Sequence, residues 1–297
     1  MIMNYDKKNG DVCFRESDHK YFNERDCNIV YTSVTTLIGK YHEKFDPEFW
    51  ARYKAFEACL NKEDFIIVKG KYLRTKKADE NWFSKYNIDI EKFNFEVDSN
   101  LEKYKLAGEV GCARGSEYHL KKELAFYESL EHDVSKFIPN CTEKFCCEKH
   151  NWDLSREKVV IPELLIYYHS PDGLINIAGQ IDLFIKDGND IYIFDYKTNS
   201  KGIKDKPYFD SATRKYKTMF YPINNLHDTM LVHYTLQLSL YAWILQQEHP
   251  EFNIKLLKLL HIDGNDVETD YELPYLKDDV ERLVKYHKKV SLNEKHK

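Results

Sequence analysis

Three apolar runs between residues 159 and 197 constrain the fold of this chain most strongly. They read VVIPELLIYY at 159–168, LINIAGQIDLFI at 174–185 and IYIFDYK at 191–197. Their short length and their many β-branched and aromatic residues predict strands. A polar segment containing Gly188 separates the last two runs and is typical of a hairpin turn. The chain therefore contains antiparallel strands, whose apolar side chains require other elements to cover them.

Helical patterns before and after these strands supply that cover. Pro47 predicts the first turn of a helix over 47–60, and Ser33 or Thr35 predicts a cap for a helix that begins near Thr36. The other expected elements are a helix over about 101–130 that breaks near Gly108 and Gly111, a loop over 199–226, a helix over 228–248, a strand over 253–262 and an amphipathic helix over 275–290. We predict an α/β fold with α+β character, in which helices flank a mixed central β-sheet.

The length and composition set limits on the class of protein. A chain of 297 residues allows one large domain or two small ones, and we expect a single domain over 1–297 with the charged segment 63–98 as a peripheral insertion. A net charge of −5 argues mildly against a protein that only binds nucleic acid, because phosphate binding needs Lys and Arg. It does not exclude a nuclease with a local basic groove.

The cysteines and the polar N-terminus predict a cytoplasmic location. Seven cysteines, an odd number without a CxxC pair, favour free thiols in a reducing cytosol. No apolar run is long enough to cross a membrane, and the first residues are unlike a signal peptide. We expect no membrane partner.

Two aspartates and a lysine lie on the apolar strands. Strand side chains alternate between faces, so Asp195 and Lys197 share one face, and hairpin pairing would bring Asp182 beside them. Two carboxylates on a half-buried face repel each other unless a cation compensates them, and oxygen ligands suit Mg²⁺ or Mn²⁺. Such an ion with a neighbouring lysine favours phosphodiester hydrolysis. A surface hairpin with a weak ion pair is the simpler alternative.

These strands resemble the core of the PD-(D/E)xK nuclease superfamily, in its RecB-like and phage-type exonuclease branch. The residues that match the G-x-[IV]-D and D-[YW]-K-[ST] motifs are Gly179, Asp182, Asp195, Tyr196, Lys197 and Thr198. Upstream, Gly115 and His119 resemble that branch's G-x-x-x-H helix. Downstream, Gln237 and Tyr241 resemble its Q-x-x-x-Y helix. From Ser33 to Tyr241, the matches cover about two-thirds of the chain.

The resemblance implies a restriction-endonuclease-like core and a set of roles. The implied metal ligands for one or two Mg²⁺ or Mn²⁺ ions are His119, Asp182, Asp195 and the Tyr196 carbonyl, and the implied catalytic residues are Lys197, Asp195, Asp182 and Glu163. The implied substrate-binding residues are Gln237, Tyr241, Ser33, Thr35, Arg114, Arg214 and Lys215. Some relatives hold an iron–sulfur cluster with three late cysteines. Because no cysteine follows Cys147, we expect no such cluster here.

The activity implied by the resemblance is that of a DNA exonuclease that leaves 5′-phosphates. Recombination, repair or phage DNA processing in a bacterium or phage-infected cell would be its setting, with DNA and other recombination or replication proteins as partners. Within 199–226, a basic stretch interleaved with aromatic residues predicts a surface that guides a DNA strand, although a solvated loop would look the same.

Two other functions stay open. An RNA endonuclease of the cap-snatching kind also uses His, carboxylates and Lys, but the Gly179–Asp182 strand and the Gln237/Tyr241 helix argue against it. A non-catalytic nucleic-acid-binding scaffold would leave the complete set of Asp182, Asp195 and Lys197 unexplained.

Overall fold

The computed structural model describes residues 6–26, 28–147, 153–210 and 214–295, with side chains up to residue 293. The chain divides into two compact units. The first comprises 1–43, 115–209 and 215–297, and the second comprises 44–114 and 210–214. The segment 63–98 belongs to the second unit, and its peripheral role stays a prediction.

The described residues form thirteen strands and seven α-helices. The strands are β1 (Lys7–Asn9), β2 (Val12–Arg15), β3 (Lys20–Asn23), β4 (Val30–Ser33), β5 (Glu131–Asp133), β6 (Lys144–Cys147), β7 (Lys158–His169), β8 (Asn176–Asp187), β9 (Asp190–Lys197), β10 (Phe209–Asp210), β11 (Lys215–Tyr216), β12 (Asn253–Ile262) and β13 (Glu268–Leu273). The helices are α1 (Val34–Ile38), α2 (Pro47–Cys59), α3 (Lys62–Thr75), α4 (Asn81–Lys85), α5 (Ile90–Tyr127), α6 (Met230–Glu248) and α7 (Lys277–Lys295).

A large mixed sheet with flanking helices forms the first unit, as predicted. Its strands follow the order β1-β2-β3-β4-β8-β7-β6-β5, while β9 joins β8 and carries β12 and β13. Most neighbours are antiparallel, but β4 with β8, β6 with β7 and β9 with β12 are parallel. The three apolar runs therefore become the adjacent strands β7, β8 and β9 at the centre of the sheet.

Strand β8 forks between two neighbours on one of its edges. Its first part pairs with β4, where Ser33 lies opposite Ala178, and its last part pairs with β9 from Leu183 to Asp187. Between these ladders, residues 179–182 have no strand partner on that edge among the described residues, although β7 pairs along the other edge. The G-x-[IV]-D segment thus lies where two strands diverge, and this divergence gives other side chains access to it.

Helix α6 covers one face of the sheet and is apolar on nearly all sides. Eleven consecutive residues from Thr235 to Leu245 are buried, because α6 packs on the sheet and also against α1 and α7. A helix that is apolar all round is expected in such a position. Its N-terminus is capped by Thr229, whose side chain accepts a hydrogen bond from the Val232 amide. The central position of α6 directs Gln237 and Tyr241 at the sheet.

Helix α5 runs without a break, so the predicted interruption near Gly108 and Gly111 is wrong. A helical glycine costs only about 1 kcal/mol relative to alanine, which the other residues of a long helix can offset. The first helix begins at Val34 rather than near Thr36, with Ser33 as its cap. Strands β5, β6 and β13 are short, and the sequence patterns do not predict them.

The second unit has its own aromatic core. Phe56 is 1% exposed and packs against the rings of Tyr72, Trp82 and Phe93 at centroid distances of 5.5, 5.6 and 4.7 Å. These residues come from α2, α3, α4 and the start of α5. The charged segment thus contains enough buried apolar side chains to form a separate cluster.

None of the helices in the described part of the chain combines the length and apolar character needed to span a membrane. Six cysteines have free thiols, and the seventh, Cys27, lies outside the described residues.

Candidate metal centre

Three predicted site residues meet at the fork of β8. His119 of α5 places its Nδ1 atom 3.5 Å from Asp182 Oδ1 and 3.6 Å from Glu163 Oε1. Glu163 lies on β7 directly beside Asp182 on β8, since the pairs on either side of it are Pro162 with Leu183 and Leu164 with Ile181. The ligand atoms of the three residues all lie within 4.8 Å of one another.

The backbone of β9 holds His119 in this orientation. Nε2–H of His119 donates to the Tyr196 carbonyl at 3.1 Å, which leaves Nδ1 towards the two carboxylates. Metal-binding histidines commonly use their second ring nitrogen in this way. The amide of Tyr196 donates to Asp182 Oδ2 at 2.6 Å, so one residue of β9 positions two members of the group.

The backbone at Glu163 adopts an uncommon conformation. Its φ is 52°, within a strand whose other residues are extended. A side chain other than glycine is disfavoured there by roughly 1 kcal/mol or more, and such strain clusters at functional sites. This geometry directs the Glu163 carboxylate to His119 rather than into the apolar layers of the sheet.

A second polar group lies next to the first. Lys197 forms an ion pair with Asp195, which is 1% exposed. Gln237 of α6 donates to Asp195 Oδ1 at 3.0 Å and to the Tyr241 hydroxyl at 2.9 Å. The Lys197 ammonium also lies 5.0 Å from the centre of the Tyr234 ring. The buried carboxylate is thus compensated by one charge and one amide.

Opposing charges shift the pKa values of these residues. Burial would lower the pKa of His119, but Asp182 and Glu163 raise it to about 10. Burial would raise the pKa of Asp182, but His119 and Lys197 hold it below its usual value. Burial raises the pKa of Asp195 to about 6, although Lys197 opposes this change. Despite its burial, Lys197 has a raised pKa because of Asp195 and Asp182, so it stays an ammonium.

The donor set fits a divalent cation. One imidazole nitrogen and two carboxylates converge, and carboxylates with imidazole suit Mn²⁺ and, less strongly, Mg²⁺. Two of the predicted ligands are engaged elsewhere: Asp195 contacts Lys197 and Gln237, and the Tyr196 carbonyl accepts from His119. Their direct ligation stays a prediction.

A lysine and a glutamate that received no role from the sequence complete the site. The ammonium of Lys7 lies 3.2 Å from Glu163 Oε2 and 3.6 Å from Glu123 Oε1. Tyr127 donates to the same oxygen of Glu123 at 3.1 Å. Lys7 belongs to the three-residue strand β1, whose polar sequence carries no recognisable motif, so only the fold reveals its position.

The predicted substrate-binding residues are divided between the two units. Ser33 caps α1 and hydrogen-bonds the hydroxyls of Thr35 and Thr36, so its local capping role is confirmed. Arg114 and Arg214 belong to the second unit, whereas Lys215 is an exposed residue of β11 in the first. For all of them, contact with a substrate stays a prediction.

Another group of potential ligands comprises His42, Asp228 and His233. The two imidazole rings stack at 4.1 Å, and His233 Nε2 lies 2.7 Å from Asp228 Oδ1. A stacked histidine pair with a carboxylate acceptor accounts for these contacts without an ion.

Two solved structures are distantly similar to this chain. No known family and no curated protein matches the sequence. A structure named SSO0001 aligns at 14% identity and a TM-score of 0.31, over 71% of this chain and 69% of that one. A protein from Eubacterium rectale named "putative exonuclease" aligns at 11% identity and a TM-score of 0.33, over 87% of this chain and 77% of that one.

Proposed function

We propose that this chain is a divalent-metal-dependent deoxyribonuclease that acts as an exonuclease and leaves 5′-phosphates. The observation that carries the proposal is the placement of a His119, Glu163 and Asp182 donor set beside a buried Asp195–Lys197 pair. The preference for DNA and for exonuclease action comes from the motif resemblance. Recombination, repair or phage DNA processing is the proposed setting.

His119, Glu163 and Asp182 would hold the ion, with Mn²⁺ or Mg²⁺ as the proposed metal. A divalent ion there supplies Lewis-acid charge to the scissile phosphate and promotes ionisation of water. The carbonyl of Tyr196 accepts a hydrogen bond from His119, and its amide donates one to Asp182. These two bonds hold both side chains in position to bind the ion.

Lys197 acts as a charged hydrogen-bond donor in this mechanism. Its raised pKa favours the ammonium form, which would orient the attacking water or bind a phosphate oxygen. Asp195 fixes the ammonium, and Gln237 fixes Asp195 in turn. The oriented water would pass one proton to solvent as its oxygen bonds to phosphorus in line, and the 3′-oxygen would leave and take up a proton from solvent.

Exposed aromatic and basic side chains after β9 support a path for a nucleic-acid strand. Tyr208, Tyr216 and Phe220 are each at least half exposed, which is unusual for such large rings. Bases can stack on exposed rings while neighbouring lysines hold the backbone, as in other single-strand binders. We propose DNA as the partner of this segment.

End-labelled single-stranded DNA, double-stranded DNA and RNA, incubated with Mn²⁺, Mg²⁺ or EDTA, test the proposal. We expect wild type to degrade DNA from an end in the presence of metal, and Lys197→Ala to cut at least about 100-fold more slowly, as for loss of one charge-stabilising donor. The matched control is Lys255→Ala, because Lys255 is a half-exposed lysine of the same sheet and pairs with Asp190. It should cut like wild type.

Cleavage that persists in EDTA or in Lys197→Ala would contradict the mechanism. Preferential cutting of RNA would instead support an RNA endonuclease of the cap-snatching kind. If all three substrates stay intact with either metal, a non-catalytic scaffold becomes the better account.

A further inference from the structure

Glu163 presents its two oxygens to two different cations. Oε1 faces His119 Nδ1, on the side of the metal-ligand group, while Oε2 faces the ammonium of Lys7 at 3.2 Å. On its far side, Lys7 lies 3.6 Å from Glu123. Glu163 is therefore a bridge between the position for one metal ion and a fixed side-chain charge.

The Lys7 contacts differ from an ordinary surface ion pair. The side chains of Lys7, Glu163 and Glu123 are only 20%, 13% and 14% exposed. Exposed pairs add little because water screens them and the long side chains lose entropy. Here one partly buried ammonium separates two partly buried carboxylates, and its removal would take away the cation that the two share.

The charge balance of the site matches a single divalent ion. Its carboxylates are Glu123, Glu163, Asp182 and Asp195, and its ammonium groups are Lys7 and Lys197. Once His119 binds a metal its imidazole is neutral, and the sum of these charges is then −2, which one divalent cation neutralises. A second divalent cation would leave an excess of positive charge. Without Lys7, the sum is −3, which one divalent cation no longer neutralises.

Two-ion phosphodiesterases commonly hold their metals about 3.5–4 Å apart and share a bridging carboxylate between them. In this chain, Glu163 has the bridging position but its second oxygen is occupied by Lys7. We propose that Lys7 supplies the second positive charge of the site in place of a second metal ion, so that the site binds one ion. This inference rests on the proposed function only in assuming that the donor set binds a divalent cation.

Strand β1 therefore contributes a charge to the site, although it is only three residues long. In a strand of three residues, the side chain of Lys7 points towards β7 and α5, while Lys8 points away and pairs with Glu24. Successive strand residues alternate in this manner. Lys8 is therefore a matched control, since it has the same charge, the same strand and a different carboxylate partner.

Calorimetric titration with Mn²⁺ in the absence of DNA, together with the electron paramagnetic resonance spectrum of bound Mn²⁺, tests the proposal. We expect one Mn²⁺ per chain and an uncoupled spectrum for wild type, Lys8→Gln and Lys7→Arg. For Lys7→Gln we expect two Mn²⁺ per chain, because Glu163 and Glu123 become free to bind the second. The double variant Lys7→Gln/Glu123→Gln should return to one.

Two Mn²⁺ per chain in wild type, or one in Lys7→Gln, would overturn the proposal. If Lys7→Gln does not fold, the wild-type protein still tests the proposal. A spectrum of two magnetically coupled Mn²⁺ ions in wild type would contradict a single-ion site. Failure of the proposed function is distinguishable from this result. A protein that binds one Mn²⁺ but cuts no DNA retains the single-ion site and loses the nuclease, whereas a DNA-cutting protein with two ions loses only the role of Lys7.

Discussion

Gly179 and Tyr241 explain at the residue scale why two distant motifs occur together. A Cβ atom on Gly179 would lie 2.5 Å from Tyr241 Cε1, which is closer than real atoms approach. The hydroxyl of Tyr241 accepts from Gln237, and Gln237 also donates to Asp195. The glycine thus lets α6 approach β8 closely enough for its amide to reach the buried carboxylate.

Gly179→Ala should destabilise the protein by about 1–3 kcal/mol, because the buried Tyr241 ring must move. Urea denaturation measures this change. Gly115→Ala is the control, since a Cβ there would lie at an ordinary 3.6 Å from Thr198 Oγ1. In the middle of a helix that substitution should be neutral or stabilise by up to about 1 kcal/mol. Equal effects of the two substitutions would contradict the close contact.

Gln237→Leu removes the only side-chain amide that donates to Asp195 in the described residues. Leaving a buried acceptor without its donor costs about 1–3 kcal/mol, which denaturant unfolding can measure. On the same helix, Gln247→Leu should change stability by less than about 0.5 kcal/mol, because Gln247 is exposed. A Gln237→Leu variant with unchanged stability would show that this hydrogen bond does not stabilise the fold.

At the scale of elements, sequence patterns predicted those parts that depend on local composition. Strands β7, β8 and β9 were predictable because their cores are continuous apolar runs, and α2 because Pro47 and its apolar residues agree. In α5, by contrast, the glycines predict a break that the continuous helix does not have. Strand β13 was missed, because its alternation is weak and most of its residues are exposed.

The candidate site likewise contains residues that sequence motifs predict and residues that they do not. The sequence motifs pointed to His119, Asp182 and Lys197, whose neighbours on the same strand or helix form recognisable spacings. Lys7 has no such neighbours. Its contact with Glu163 joins residues 156 positions apart, so it depends on the pairing of whole strands.

The helices of the second unit should depend on their aromatic cluster. Phe56→Ala should lower the stability of that unit by about 3–5 kcal/mol, because a fully buried ring leaves a cavity among Tyr72, Trp82 and Phe93. Hydrogen exchange of the amides in 47–98 measures the loss directly. Phe95→Ala is the control, since Phe95 is 70% exposed and its removal should have little effect. Unchanged protection in Phe56→Ala would contradict a separate core.

For the whole molecule, metal binding should appear as increased stability. Mn²⁺ at about one hundred times its dissociation constant should stabilise wild type by about 2.7 kcal/mol, and this corresponds to a rise of several degrees in Tm. Asp182→Asn should abolish the increase, because it removes one of the three donors. Differential scanning calorimetry with and without EDTA measures both. An undiminished rise in Asp182→Asn would place the ion elsewhere.

The site is closed by contacts between residues that are far apart along the chain. Lys7 with Glu163, His119 with Tyr196, and Gln237 with Asp195 are separated by 156, 77 and 42 positions. Contacts of this kind form late during folding, because long loops must close before they contribute any stability. Interactions that are absent from the transition state change the unfolding rate and leave the folding rate nearly constant. Bound metal should therefore slow the unfolding of the chain without accelerating its folding.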